Sequence, residues 1–371
     1  VAEWARIVNS TIADHLRGFE DLVMRKRILL RRLKSAGNIK YNVSGDGFTW
    51  RPKKAQANIT VNNGAQPITF QPINRLDTAT LDYEGYVITD AMTKRERLKN
   101  RGQPAIVKIW SQLTEMMMGD LEDRFSEELY IDSSAAGNSG RISGFETMFA
   151  ATQTITQTTT TSTVARTANA ADMFAYPSDT YAGISTILGN EGGAWPYNWP
   201  EGKGDAEFDY FSPIIVNYTS TGFDGTGDSW GENCVLATRA MLLYTNRNIA
   251  SSGTVDLVLM DTKMLRLFKD KKDATERVVV NQGSKDREFG IEGDSFYQDG
   301  AEIAHEFGIP PLVAYGINIE KCQLLSMQDK LFEVEGPEYD MPSRSWRVCV
   351  DFLGQLKFYS PRHFGKLVTL A

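Results

Sequence analysis

A hydrolytic triad needs a histidine, and this chain has three. His15 falls in an N-terminal amphipathic stretch, His305 lies in a strand-like run between Glu302 and Glu306, and His363 stands beside Arg362 near the end. No G-x-S-x-G turn accompanies them, so His305 reads as a strand residue paired with a carboxylate, not as a base. A phosphate cradle is equally absent: there is no G-x-x-x-x-G-K-S/T and no well-placed G-x-G-x-x-G. The run from Asp224 to Asp228 opens like a calcium loop but lacks the third-position ligand, the sixth-position Gly and the closing Glu. Glu201, Asp205, Glu207 and Asp209, beside Trp195, Tyr197 and Trp199, offer carboxylates under aromatic platforms, the arrangement that glycoside hydrolysis uses. Acids this close together on a Gly-rich loop also make an ordinary solvated rim, and the same rings could hold a sugar without cleaving it. Met116, Met117 and Met118 read as core filler before they read as a soft metal site. Cys234, Cys322 and Cys349 are too few and too scattered for a disulfide framework or a zinc knuckle. We therefore assign no catalytic residue, no metal and no cofactor.

The elements carrying these residues follow from composition and period. The 371 residues are 42% hydrophobic and carry a net charge of −7, the wrong sign for a dedicated nucleic-acid binder. No apolar run is long enough to span a bilayer, and the N-terminus lacks the greasy core of a secretion signal. A soluble protein of a reducing compartment, with two or three domains, is expected. The charge is uneven. Arg25, Lys26, Arg27, Arg31, Arg32 and Lys34 occur without an acid among them, whereas residues 195–232 hold seven acids and one base, Lys203.

Residues 1–35 predict one long amphipathic helix, with Trp4, Val8, Ile12, Leu16, Phe19, Val23, Leu30 and Leu33 on a buried stripe and Gly37 as its stop. Its basic end is either a solvated, dipole-matched helix terminus or a contact with packaged nucleic acid or an acidic partner through Arg27, Arg31, Arg32 and Lys34. Residues 38–92 change period. Ile39, Tyr41 and Val43 alternate with polar residues, as do Phe48 with Trp50, Ile59 with Val61, and Ile68 with Phe70; Asn62-Asn63-Gly64 makes a hairpin turn between two runs. This predicts a two-stranded arm with legs of up to about 80 Å. A lone ribbon has no layer over its apolar residues, so it must lie on its own body or on another copy.

Thr93-Lys94-Arg95-Glu96 has the form of a capping box. Val107, Trp110, Leu113, Met117, Leu121, Phe125 and Leu129 then keep helical spacing over a rod of roughly 40 Å. A small-residue loop covers 133–144, and the threonine-rich 152–163 reads as a surface loop or edge strand. A helix over 232–248 should bury Leu236, Ala240, Leu243 and Tyr244. Residues 255–260 form a buried-type strand, and Asp261 caps a helix carrying Leu265 and Phe268. The remainder is mostly strands, ending in a hairpin turned by Leu353-Gly354-Gln355. The class is α+β.

This order of parts, with Val258-Leu259-Met260-Asp261, the helix from Lys263 to Asp270, Gly308-Ile309-Pro310 and the closing Phe358-Tyr359-Ser360-Pro361, resembles the major capsid proteins of tailed phages with the Hong Kong-97-like fold. The resemblance implies an N-terminal arm helix (1–37), an extended E-loop hairpin (38–92), a P-domain with a spine helix (93–150), a surface-exposed insertion (151–231), an A-domain (232–330) and C-terminal strands shared by the P- and A-domains (331–371). It further implies pentamers and hexamers closing an icosahedral shell around weakly and non-specifically held double-stranded DNA. Scaffold, portal and decoration proteins would be partners, no membrane would be involved, and assembly in the bacterial host cytoplasm would place the chain in the virion. Phe48, Trp50, Ile59, Val61, Ile68 and Phe70 are then the inter-subunit contact candidates. Arg27, Arg31, Arg32 and Lys34 are the candidates facing the lumen and its DNA. Some relatives cross-link a lysine of this arm; Lys53 and Lys54 lie in the right region, but no acceptor is assigned. An encapsulin-like nanocompartment shell is the alternative on the same fold, and a carbohydrate-binding or glycoside hydrolase protein is the alternative from another class.

Overall fold

Strand residues that are apolar on both faces must be covered on both faces, and the largest sheet of this molecule is built that way. The computed structural model describes residues 27–53, 64, 70, 72, 74–95, 116–117, 119–121, 123–152, 154–158, 163–167, 172–187, 200, 211–223, 227–246, 254–275 and 296–369. Its elements are mixed helix and strand. An eight-stranded sheet runs in the order β13 (Phe296–Gln298), β14 (Ala301–His305), β12 (Leu257–Met260), β15 (Ala314–Ile317), β19 (Gly365–Val368), β11 (Ile214–Asn217), β8 (Phe174–Pro177) and β5 (Ala151–Thr152). Val258 and Met260 join Ile303, Ala314, Leu367, Val216 and Phe174 on one side. Leu257 and Leu259 join Ala304, Tyr315, Ile317 and Ile215 on the other. Successive residues point to opposite sides, as the pleat requires.

The first side is closed by helices Trp230–Thr245 and Thr262–Thr275 through Trp230, Cys234, Ala237, Met241, Met264 and Phe268. Trp230 Nε1 donates to the Met264 carbonyl at 2.9 Å and joins the two helices. The buried stripe of the first of them differs from the expected one: Leu243 is exposed, and Met241 and Leu242 are buried in its place. The helix begins two residues earlier than expected, and Trp230 fixes which side turns inward.

Aromatic rings close the second side. Tyr130 and Tyr315 stack at 5.6 Å, Tyr130 and Phe145 at 5.7 Å, and Phe145 approaches Phe358 to 4.6 Å. Phe145 opens the short helix Phe145–Met148, directly after the loop that was read from small residues. In the same region Tyr315 donates to Glu146 at 2.5 Å, and the buried Lys366 pairs with Glu146.

Phe358 belongs to a five-stranded sheet made by β1 (Ile39–Lys40), β16 (Cys322–Ser326), β18 (Ser345–Phe358) and β17 (Glu333–Asp340), with β4 (Glu84–Thr93) also paired to β18. Helical residues 123–128 lie over it, with Met117, Leu121, Phe125 and Leu129 all buried as their spacing predicts. Phe125 meets Phe332 at 5.6 Å and Phe352 at 5.0 Å. The remaining strands form small ribbons: β2 (Phe48–Trp50) with β3 (Ala79–Leu81), β6 (Thr154–Thr158) with β7 (Thr163–Thr167), and β9 (Thr180–Tyr181) with β10 (Ile184–Ser185).

Four expectations change. The expected single helix over 1–35 is interrupted at Arg27, extended at φ −94°, ψ 117°, and a helix runs from Ile28 to Ser35; residues 1–26 lie outside the described residues. The stretch 151–231 is not simply an exposed insertion, since β8 and β11 within it are fully buried strands of the large sheet. The arm is shorter than 38–92: Ile39 pairs with Leu324, and Glu84–Thr93 pairs with β18, so both belong to the body. Finally, Leu353-Gly354-Gln355 is no turn. Residues 345–358 are one continuous strand, and Gly354 is present because a Cβ there would sit 2.1 Å from the Leu325 carbonyl oxygen and 2.9 Å from the Phe352 ring.

Gly354→Ala is therefore expected to force β16 from β18 and to destabilise the fold by about 3 kcal/mol, the upper end of ordinary overpacking costs. A denaturant midpoint equal to that of the parent protein would count against this close approach.

Candidate assembly interface

The ribbon β2–β3 pairs with no other strand among the described residues. Phe48 stands opposite Leu81 and Trp50 opposite Ala79, and an isolated bridge joins Lys53 to Leu76. Both pairings keep one register, whose mid-point falls beside Gly64, where φ is +83°. The other residues of the expected turn, Asn62 and Asn63, lie outside the described residues.

The root of the ribbon is seated on the body. Trp50 Nε1 donates to the Tyr359 carbonyl at 2.8 Å, the ring lies 6.2 Å from Tyr181, and the Lys357 ammonium stands 4.8 Å from its centroid. Burial, reinforced by nearby Lys40, lowers the Lys357 pKa. A less hydrated ammonium over an indole face is a stronger cation–π contact than an exposed one. Phe48 packs edge-on against Tyr83 at 4.4 Å. The Thr80 N–H donates to the Ala182 carbonyl at 3.1 Å.

The returning strand is held by a charged cluster. Glu128, fully buried, accepts from the Tyr86 hydroxyl at 2.7 Å, from Arg124 Nε at 2.8 Å and from Arg141 Nε at 2.9 Å. The Tyr86 oxygen in turn accepts the Ile142 N–H at 2.8 Å. Hydrogen bonding to Glu128 pushes the Arg141 pKa further up, and burial does the same for the Tyr86 hydroxyl. Gln355 adds a second tie: its Oε1 accepts the Ser143 N–H at 2.7 Å and its Nε2 donates to the Asp82 carbonyl at 3.1 Å. Together they join helix end, loop and ribbon root.

Past this root, two described apolar residues are open to solvent. Leu76 is 48% exposed and Phe70 is 90% exposed. Of the six apolar residues expected to meet a neighbour, Phe48 and Trp50 are corrected: both are buried in their own subunit, because Tyr83, Tyr181 and Lys357 already cover them. Phe70 remains open, and Ile59, Val61 and Ile68 lie outside the described residues. Leu76 and Glu128 were missed. Leu76 had a signal in its cross-strand partner Lys53, and Glu128 had one in its i,i+4 spacing from Arg124.

The basic residues are also corrected in part. Arg27 is buried, lies 3.6 Å from Asp123 and sets its guanidinium 6.0 Å from the Phe307 ring centroid. Arg32 pairs with the buried Glu302, and Arg31 is half-buried. These three face the protein, leaving Lys34 as the exposed member of the four. His363 is buried and His305 half-buried. The acids and rings at 195–199 and 201–209, like His15, lie outside the described residues. Among the described residues, no group of three or more His, Cys, Asp or Glu side chains could hold a metal ion. No helix among them is long and apolar enough to cross a membrane.

No protein-family model matches the chain, and no curated protein matches it. Solved structures do. The capsid asymmetric unit of cyanophage A-1(L) superposes with a TM-score of 0.56 at 15% identity, covering 90% of this chain and 91% of that one. The capsid of a native GTA particle gives 0.53 at 12% identity, covering 92% of this chain and 91% of its own. The fold is thus that of capsid chains, matched over almost the whole length.

Glu128→Gln should remove the charge that holds Arg141, Arg124 and Tyr86 together and cost about 2–3 kcal/mol, the scale for a charged buried hydrogen-bond partner. Limited proteolysis near residues 82–86 should accelerate in this variant. An unchanged cleavage pattern with unchanged stability would show that the cluster does not hold the ribbon root.

Proposed function

We propose that this chain is a capsid-forming subunit whose ribbon, beyond Trp50 and Lys53, lies across an adjacent copy. One observation carries the reading: Phe70, in the segment that joins β2 to β3, is 90% exposed, and the β2–β3 ribbon pairs with no other strand among the described residues. The likeness of fold to two capsid chains supports it. In this reading the ribbon is the E-loop, the helix ending near residue 128 is the spine of the P-domain, and the sheet containing β12 and β14 is the A-domain. Copies form pentamers and hexamers around rotation axes and close a shell, with heterologous contacts supplied by the ribbons. Double-stranded DNA fills the shell without tight neutralisation of its phosphates, in keeping with the acidic balance of the chain. Scaffold, portal and decoration proteins are its partners in the virion.

Burying one large apolar side chain is worth about 1.5–3 kcal/mol, so Phe70→Asp should raise the concentration needed for assembly by tenfold or more. Replacing residues 54–73 by a two-residue Asn-Gly turn keeps the Trp50 root and should leave a folded subunit that builds no closed particles in negative-stain micrographs. Normal particles from that variant would overturn the lattice role of the ribbon.

A further inference from the structure

Pairing of β17 with β18 sets Glu333 opposite Asp351 and Glu335 opposite Cys349; pairing of β18 with β4 sets Asp351 opposite Val87 and Cys349 opposite Thr89. These residues share one face of the sheet, because side chains alternate and Val348, Val350 and Phe352 between them are buried in the core. Glu333 and Glu335 are exposed. Burial and the nearby Glu335 push the Asp351 carboxyl up, as happens where like charges crowd. The base on the same face, Arg347, is engaged by Asp340 at 2.6 Å. Beside the acids lies an apolar strip. Val87 is 63% exposed, and Leu353, also exposed, lies over Gly85, where a Cβ would stand 3.1 Å from its Cδ1.

The ribbon β2–β3 has the opposite character. From Phe48 to Leu76 the sequence holds four bases, Arg51, Lys53, Lys54 and Arg75, and no acid. Phe48 and Trp50 turn toward their own body, so the alternate positions Arg51 and Lys53 turn away from it. Arg51, Lys53 and Leu76 are exposed, and Lys53 stands directly opposite Leu76. Bases around an aliphatic side chain on one surface match acids around aliphatic side chains on the other.

We propose that the outer face of β17, β18 and β4 receives the ribbon of an adjacent copy, with Arg51 and Lys53 against Glu333, Glu335 and Asp351, and Leu76 against Val87 and Leu353. The inference rests on the capsid reading above and adds to it the surface on which the ribbon lands. The bases point away from the body that holds Trp50, so the acids they meet are those of a second copy. The two patches are different parts of one chain, which makes the contact heterologous and lets it repeat around a rotation axis. Exposed ion pairs are individually weak and screened by salt, so the charges select partner and register while the aliphatic contact supplies cohesion.

A charge-reversal cycle on the full chain tests this. Glu333→Lys with Glu335→Lys should raise the subunit concentration needed for particles about tenfold at low ionic strength, and the rise should shrink as salt is added. Arg51→Glu with Lys53→Glu should do the same, and all four changes together should bring assembly back to within about threefold of the parent. Normal assembly with either pair reversed, or no recovery in the combined protein, would overturn the docking face and leave the capsid reading standing; a parent chain that forms no particles would remove both. Should a reversed pair misfold, a photo-crosslinking residue at position 76 of the otherwise unchanged chain decides. Capture of residues 84–93 or 345–353 of another copy, in particles mixed from isotopically light and heavy chains, supports the proposal, and capture of other segments refutes it.

Discussion

A two-stranded β-ribbon cannot cover both of its faces, and the rest of this molecule is arranged around that shortage. The body supplies cover for Phe48 and Trp50 at the root of the ribbon through Tyr83, Tyr181, Tyr359 and Lys357. Among the described residues beyond that point, Phe70 is 90% exposed. An apolar ring exposed to water in this way gains free energy wherever a complementary surface arrives. A shell of identical copies offers such a surface at every position. On the proposed reading, such a surface on an adjacent copy would complete the packing of the ribbon.

Polar contacts tie the root of the ribbon to the body. A carboxylate as deeply buried as Glu128 is costly unless every lone pair is engaged, and two guanidiniums with a tyrosine hydroxyl engage it. These partners come from β4, from the helix that supplies Glu128 itself and from the loop after that helix, so their directionality fixes the angle at which the ribbon leaves. Apolar packing alone would allow β4 to slide. Glu306 repeats the device on a smaller scale at the N-terminal helix, where a distant carboxyl performs the capping that local sequence omits.

What the sequence made legible was periodic. Met117, Leu121, Phe125 and Leu129 follow helical spacing and are all buried, and Gly37, at φ +70°, ends the first helix as its position suggests. The extended run at Phe48 and Trp50, paired in the structure with Leu81 and Ala79, was readable from alternation. Tertiary effects were not. Gly354 looked like a turn because its function, admitting the Leu325 carbonyl, depends on a strand some thirty residues earlier. The four residues of β11 and of β8 read as parts of an insertion because short apolar runs say nothing about which sheet will accept them. Arg27 and Arg32 read as a solvated basic face because Asp123 and Glu302 are brought to them only by the fold.

The central claim concerns where the open end of the ribbon goes, and a photo-crosslinking amino acid at position 70 reads this directly. Particles would be assembled from an equal mixture of isotopically light and heavy subunits, irradiated, digested and sorted by mass. The account predicts crosslinked peptide pairs that combine light with heavy chains at the statistical frequency. Crosslinks confined to light–light and heavy–heavy pairs would place the ribbon on its own subunit and contradict it.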